Sequence, residues 1–366
     1  MIGRWGRAVL LLVACAAAAA VSPGHRVAGT GSPVMFGSDE EATMDTIDLG
    51  FSPGSGFARL SDGELADDLD RMRSIGVTWI RIDVPWSVVE AEQGSFDWSS
   101  TDRLIDAARS RGFAVLALLA YTPTWANNGA PSDKYPPVES ADFARFAAEA
   151  SARYAPRGVH AWEVWNEPNL ADFWAPAPDP IAYAQLLSAA AEAIRAVDDE
   201  AFVISAGLAP GQDDLAASQS PESFLVEMFR QLPAGTVDAV GIHPYSFPAD
   251  PTDRSERWNT FGRLPEIAAL IARLTGESTP LWSTEFGAPF DPNDPQRQAE
   301  IVVEGVACAA RLPSTGPVFV YATRDAIEPA DELPFGLLES DGTRRPSWVA
   351  LAELMSAPPR SADCWR

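Results

Sequence analysis

Short apolar runs alternate with amphipathic stretches eight times along this chain, and that alternation restricts its fold more than any other feature. The runs lie near residues 34–37, 78–83, 113–120, 159–165, 201–207, 238–243, 280–284 and 316–321. They are short, close to continuously apolar and bounded by turn residues, as strands buried on both faces are. Stretches of helical period fall between them: "LSDGELADDLDRMRSIG", "SSTDRLIDAARSRG", "SADFARFAAEASARYAPRG", "DPIAYAQLLSAAAEAIRAV", "SPESFLVEMFRQL", "LPEIAALIARLTG", "PQRQAEIVVEGVACAARL" and "RRPSWVALAELMS". Several open on a Ser or Asp that can cap a helix, and several stop at Gly. Strands alternating with helices pair in parallel through helical crossovers, so eight units predict an α/β fold, a single-domain (β/α)8 or TIM barrel. A doubly wound open sheet would carry a glycine fingerprint after its first strand, and none is present.

Composition narrows the partners. Twelve tryptophans and a hydrophobic fraction of 46% in 366 residues supply a large core. Acidic residues outnumber basic ones by 51 to 27, a formal charge of -24. A field of that sign repels phosphate backbones and anionic bilayers, so no nucleic acid is expected and a neutral partner fits best.

The first 23 residues read as a signal peptide. Arg4 and Arg7 precede "AVLLLVACAAAAAV", an apolar core too short to span a bilayer. "LVAC", residues 12–15, resembles a lipoprotein box, so membrane attachment is expected only if Cys15 is lipidated. Residues 24–33 read as a flexible leader and 34–366 as one catalytic domain, secreted or held at the cell envelope. Without Cys15, Cys308 and Cys364 remain, and a disulfide between them would pin the C-terminal tail. Closing a loop of that length stabilises by about 4 kcal/mol in the chain-entropy model. Three histidines and so few cysteines offer no zinc cluster at usual spacings, so neither metal nor cofactor is expected.

In a barrel of this kind the reacting groups stand at the C-terminal ends of strands, where the following loops share one face. Glu167 lies there in "WEVWNEPN", just past the fourth run, and Glu285 lies there in "PLWSTEFGAP", past the seventh. The eightfold geometry faces these two carboxyls across the barrel mouth, and glycosidic cleavage requires such a pair: one protonates the departing oxygen, the other attacks or directs water at the anomeric carbon. Arg81, in "RID" on the second run, can hold Glu285 ionised. "GIHPYS" supplies His243 and Tyr245, whose phenol can orient the nucleophile. Asn166 can bond a sugar hydroxyl beside the scissile bond. Trp125 and Trp174 can stack on sugar faces, whereas Trp79, Trp162 and Trp282 are expected in the core. The arrangement calls for Glu285 at low pKa beside Arg81 and Tyr245, and for Glu167 at higher pKa beside Trp165.

"WEVWNEPNLADFW", "HPY" and "TEFG" together resemble clan A retaining glycoside hydrolases, most closely glycoside hydrolase family 39 and its bacterial exopolysaccharide-hydrolase relatives, with family 5 second. The segments "RIDVPWSVVEAEQGSFDWSSTDRLIDAARSRGFAVLALLAYTPTWA" and "FGLLESDGTRRPSWVAL" extend the resemblance over nearly the whole chain. It implies a β-glycosidase acting by double displacement on a poly- or oligosaccharide; the export signal points to an extracellular or envelope polysaccharide, and an endo-acting, monomeric enzyme is expected. Glu167 would be the acid/base and Glu285 the nucleophile. Asn166 would contact the sugar 2-hydroxyl, Tyr245 would bond Glu285, and Arg81 and His243 would support them. The chain departs from the pattern at the end of the eighth strand, where Tyr321, Arg324 and Asp325 stand in place of the usual tryptophan and Tyr321 is the residue left to meet the sugar. The alternative reading is an inactive carbohydrate-binding barrel. A serine- or metal-dependent hydrolase on the same fold is the least favoured, metal ligands being scarce.

Overall fold

The computed structural model describes residues 47–325, 333–357 and Cys364. The predicted signal peptide, the leader and the apolar run at 34–37 lie outside the described residues. Eight parallel strands form one sheet: β1 (Leu49–Phe51), β2 (Trp79–Pro85), β3 (Ala114–Ala120), β4 (Ala161–Val164), β5 (Phe202–Ser205), β6 (Val240–Ile242), β7 (Leu281–Phe286) and β8 (Thr315–Val320). Their order is β5-β4-β3-β2-β1-β8-β7-β6. Parallel bridges Ile204–Ala239 and Leu208–Ile242 join the outer two, so the sheet curls round into the expected barrel.

Seven of the eight barrel strands fall within or beside the runs read from the sequence, and the first does not. β1 is the three-residue "LGF", lying between the apolar run at 34–37 and the first helical stretch and hydrogen-bonded to β2 on one side and β8 on the other. It is too short to show a period. Gly50 is required within it because a Cβ there would overlap the Phe319 ring.

The helices are α1 (Asp62–Ser74), α2 (Trp86–Val89), α3 (Ser99–Arg109), α4 (Ser140–Tyr154), α5 (Pro180–Arg195), α6 (Pro221–Phe229), α7 (Leu264–Thr275), α8 (Arg297–Ala309) and α9 (Pro346–Ser356). All but the four-residue α2 match predicted stretches. α1 begins with a full capping box, Ser61 with Glu64, and α5 begins with Asp179 accepting from two backbone N–H groups. The helices bury their apolar faces against the outside of the barrel. Cys308 on α8 is bonded to Cys364, with Cα atoms 5.4 Å apart, so the C-terminal residue pair is joined as expected. Among the described residues no helix is long and apolar enough to cross a membrane.

Inside the barrel the strand period of two stacks side chains in layers. The lower layer is apolar and mixes large with small: Trp79, Leu116, Ala161, Ile204, Ala239, Trp282 and Phe319. Two residues further along, the same strands turn polar. Arg81 follows Trp79, Glu163 follows Ala161 and Thr284 follows Trp282. The dry lower layer thus carries a buried ionic layer directly beneath the mouth.

Candidate active site

The two glutamates converge. One carboxylate oxygen of Glu167, one of Glu285 and Nδ1 of His243 all lie within 4.8 Å of one another. Both carboxyls are buried. Glu285 reaches this position through a β-bulge: between Ser283 and Phe286, β7 carries one residue more than its partner β8. Thr284 and Glu285 can therefore both reach polar partners inside the barrel, while Phe286 packs outward on Phe261.

Glu167 reaches its position through backbone strain. Trp165 and Glu167 have φ of 73° and 46°, in the left-handed region that such residues avoid. Hydrogen bonds on both sides hold the turn. Trp165 N–H donates to Leu119 O and Glu167 N–H to Gly207 O. Trp165 Nε1 donates to Phe173 O. Asn169, fully buried, clamps the turn to the neighbouring loop by donating to the carbonyls of Ala209 and Gln219 and accepting from Ala209 N–H.

Each glutamate has its own partners. Arg81 Nη1 lies 2.5 Å from Glu285 Oε1, and Tyr245 Oη donates to Glu285 Oε2 at 2.9 Å. Arg81 Nη2 donates to Asn166 Oδ1, and Nη1 also reaches Ser52 Oγ. Arg81 Nε is spent on Glu163, at 2.5 Å. Glu163, within the same motif as Glu167 but not recognised from the sequence, also accepts from Gly207 N–H and from Thr284 Oγ1, both at 2.9 Å. His243 joins the other carboxyl, Nδ1 to Glu167 Oε1 at 2.7 Å, and its Nε2 lies 3.1 Å from Thr284 Oγ1.

Burial sets the acidities. It pushes Glu167 above the usual carboxylate range; a donating or charged His243 would oppose this, and the charge of Glu285 acts in the same direction as burial. Burial also pushes Glu285 up, with Arg81 and Tyr245 opposing. The direction runs against the low value expected of Glu285, although the Arg81 and Tyr245 contacts expected to lower it are both present. Burial disfavours the charge of Arg81, yet Glu163 and Glu285 together raise its pKa. Asp83, two residues beyond Arg81 on β2, is pushed up by burial as well. It was missed because it reads as an ordinary strand-end acid.

The aromatic assignments divide. Tyr245 and Tyr321 pack together with Ala322 and Phe335, so Tyr321 stands beside the phenol that holds Glu285. A cleft of about 250 Å3 opens next to it, lined by Gly54, Phe57, Arg324 and Phe335 among others. Trp125 is half-buried, its indole N–H donating to Glu90 O. Trp174 is a correction: it is 2% exposed, wedged edge-on against Trp165 and Tyr183, and presents no face to a sugar. Trp79, Trp162 and Trp282 are core, as expected. Arg324 and Asp325 are spent on Asp68 and Arg345, which leaves Tyr321 as the strand-eight side chain beside the site.

Residues 50–54 have the spacing of a nucleophile elbow, Gly-Phe-Ser-Pro-Gly, but the Ser52 hydroxyl accepts from Arg81, and His243 is engaged by Glu167 and Thr284. Among the described residues the donors able to converge on a cation are Glu167, His243 and Glu285 themselves, and there Arg81 already places a positive charge against Glu285.

The family model Cellulase (glycosyl hydrolase family 5) matches residues 50–309. The chain belongs to glycosyl hydrolase family 5. A beta-xylosidase of Caldicellulosiruptor saccharolyticus is 27% identical over 288 residues, 70% of this chain and 56% of that protein. A beta-xylosidase of Geobacillus stearothermophilus is 28% identical over 186 residues, 46% of this chain and 34% of that protein. The chain thus spans between a third and three-fifths of the length of these curated relatives. Among solved structures, a family 39 glycoside hydrolase from Bacteroides cellulosilyticus WH2 superposes with TM-score 0.68 at 24% identity, covering 86% of this chain and 64% of that one. A monomeric beta-xylosidase from Caulobacter crescentus CB15 gives TM-score 0.67 at 21% identity, covering 85% and 68%. At that identity the superpositions speak for the fold. The family 5 match places this chain in clan A, the clan its motifs resemble.

Proposed function

We propose that this family 5 protein is a retaining β-glycosidase in which Glu285 is the nucleophile and Glu167 the acid/base. The observation that carries the reading is the separation of the carboxyls. Retaining enzymes hold the pair about 5–5.5 Å apart, whereas inverting ones leave room for water at about 6.5–9.5 Å, and here oxygens of the two lie within 4.8 Å. Different partners give them different roles. Glu285 is gripped by Arg81 and Tyr245, which fixes one oxygen pair for attack. Among the described residues the cation that can touch Glu167 is His243, when that ring is charged, and burial favours the protonated form of Glu167.

In the first step Glu167 gives its proton to the glycosidic oxygen as Glu285 bonds the anomeric carbon. In the second, Glu167 takes a proton from water, which displaces Glu285. Asn166, whose Oδ1 is held by Arg81, offers its Nδ2 to the sugar beside the broken bond, and Tyr321 lines that sugar's other side. The relatives are named beta-xylosidases, so a β-linked pentose is the first substrate to test, on a chain released through the export signal read in residues 1–23. Endo action on a polysaccharide is tested alongside by comparing xylan with short xylo-oligosaccharides.

Glu167→Gln is expected to lower kcat/KM about 10²–10⁴-fold on a xyloside with a poor leaving group, with far less loss on 2,4-dinitrophenyl β-xyloside, whose leaving group needs no proton. Proton NMR of the first product should show the β-anomer. An α-anomer, or equal loss on both substrates, would sink the assignment.

A further inference from the structure

We infer that Glu163 and Thr284 fix the tautomer of His243, and thereby keep the proton on Glu167 that the reaction consumes. The inference rests on the acid/base reading of Glu167 and adds to it two positioning residues, Glu163 and Thr284, that touch no substrate.

The donors and acceptors can be followed from one end. The Gly207 N–H and the Arg81 Nε–H can only donate, and both point at Glu163. Glu163 is therefore the accepting side of its contacts, and the Thr284 hydroxyl donates its one proton to Glu163 Oε1. That spends the hydroxyl. Toward His243 Nε2, 3.1 Å away, Thr284 Oγ1 can then only accept, so Nε2 carries a hydrogen. With Nε2 protonated, the neutral ring presents a bare Nδ1 to Glu167 Oε1 at 2.7 Å. A bare nitrogen at that distance accepts a hydrogen bond from a carboxylic acid and repels a carboxylate. The chain thus favours the acid form of Glu167, whereas a ring turned to the other tautomer would present Nδ1–H and favour the ionised form.

The charges facing the pair act in the same direction. From β2, Arg81 is the one guanidinium, and it already faces two carboxylates, Glu163 from β4 and Glu285 from β7. Glu285 Oε2 also stands 3.7 Å from His243 Nδ1, and it is satisfied by Tyr245. Tyr121, past β3, has its phenol held neutral by burial with Asp83 and Glu167 nearby. An ionised Glu167 would be a third carboxylate against one cation.

The backbone is built around the chain. A Cβ at Gly207 would overlap both His243 Nε2 and Thr284 Oγ1, so a glycine there is what lets those two atoms meet. All three residues of the chain are fully buried or nearly so, which keeps water from substituting for any one partner. During turnover no proton moves along it. The proton leaves Glu167 for the glycosidic oxygen and is replaced from water, while Nδ1 stays an acceptor.

The tautomer can be read without substrate. The chain holds three histidines, His25, His160 and His243, so 15N-histidine labelling with His25→Asn and His160→Asn variants assigns the His243 ring in a long-range proton–nitrogen spectrum. At pH 6–7 the full-length protein should show Nε2–H and an unprotonated Nδ1. A ring with Nδ1–H and bare Nε2, or one carrying both hydrogens, overturns the inference. Thr284→Val should release the ring toward the other tautomer and move the basic limb of kcat/KM for 4-nitrophenyl β-xyloside down by about one pH unit, because a ring that donates stabilises the ionised acid. Thr284→Ser should restore both. A folded Thr284→Val with unchanged tautomer and unchanged limb also overturns it. Should Thr284→Val not fold, the wild-type spectrum decides alone. Failure of the Glu167→Gln leaving-group test would instead remove the catalytic reading and leave the tautomer result standing.

Discussion

An alanine at position 207 would press its Cβ into His243 Nε2 and Thr284 Oγ1, and no other residue shows so directly how the site was shaped. The φ of Gly207 is not in the left-handed region, so Gly207→Ala would meet no backbone penalty and its effect would be steric alone. The same residue donates its N–H to Glu163 and accepts the Glu167 N–H through its carbonyl, so any retreat of the backbone displaces the acid as well. We predict that Gly207→Ala lowers kcat/KM about 10²-fold, the scale of a 1 Å misplacement, and destabilises by about 1–3 kcal/mol, as overpacking does. Steady-state kinetics and urea unfolding check the two. Unaltered kinetics would mean that the His243–Thr284 contact has no bearing on turnover. The strained Trp165 and Glu167 belong to the same economy: each left-handed residue costs on the order of 1–3 kcal/mol, and the Asn169 clamp and the Gly207 carbonyl hold them there.

Elements were more legible than side chains. Among the described residues eight of nine α-helices were readable because caps, period and stops agree, as Ser61 with Glu64 and Gly276 after α7 illustrate. The first strand was not, since three residues cannot display a pattern. Glu167 and Glu285 were legible because a strand end tells where a residue lies, whereas the ring of Trp174 was misread because a loop position does not tell which way a side chain turns. Glu163 and Thr284 were overlooked inside strands, where a lone polar residue gives no sign of whether it faces the barrel axis. The disulfide was legible because two cysteines remain once Cys15 is read as part of the signal peptide, and it carries a prediction at this scale. Cys308 lies on the outer layer, on α8, away from the mouth. Cys308→Ser with Cys364→Ser should lower unfolding free energy by about 2–4 kcal/mol, the span being 56 residues, and leave kcat/KM at 25 °C within about twofold. Urea unfolding with and without reductant measures the first. Reductant should shift the wild type and not the double variant.

The whole molecule balances two kinds of charge. Among the described residues most charged side chains lie outside the buried set, where solvent and salt screen them, while the ionic layer in the barrel is shielded from both. Glu167 makes the difference measurable. Its pKa is raised by burial, so in the folded protein it keeps its proton to higher pH than in the unfolded chain. The folded state then binds more protons between those two values, and stability falls with rising pH across that window. The contribution is fully present below the unfolded pKa, near the ordinary 4.5, and is lost as pH rises through the folded value. Glutamine keeps the neutral form at every pH. We therefore predict that Glu167→Gln and the wild type melt at nearly the same temperature at pH 4, and that the variant gains on the wild type as pH rises above the ordinary 4.5 until the folded pKa of Glu167 is passed, and no further. Comparing the two proteins cancels the titration of the other carboxylates, which they share. Adding 0.5 M NaCl should compress the pH dependence that comes from the surface and leave the difference between the proteins nearly intact, because a buried charge lies inside the screening length at about 4 Å. A difference that is constant with pH would show that Glu167 titrates as an exposed glutamate does, and a difference that vanishes in salt would place its charge at the surface. The expected result would show the acid form of Glu167 to be costly to ionise in the fold, which is the property that lets one carboxyl of the pair hold a proton beside another that attacks.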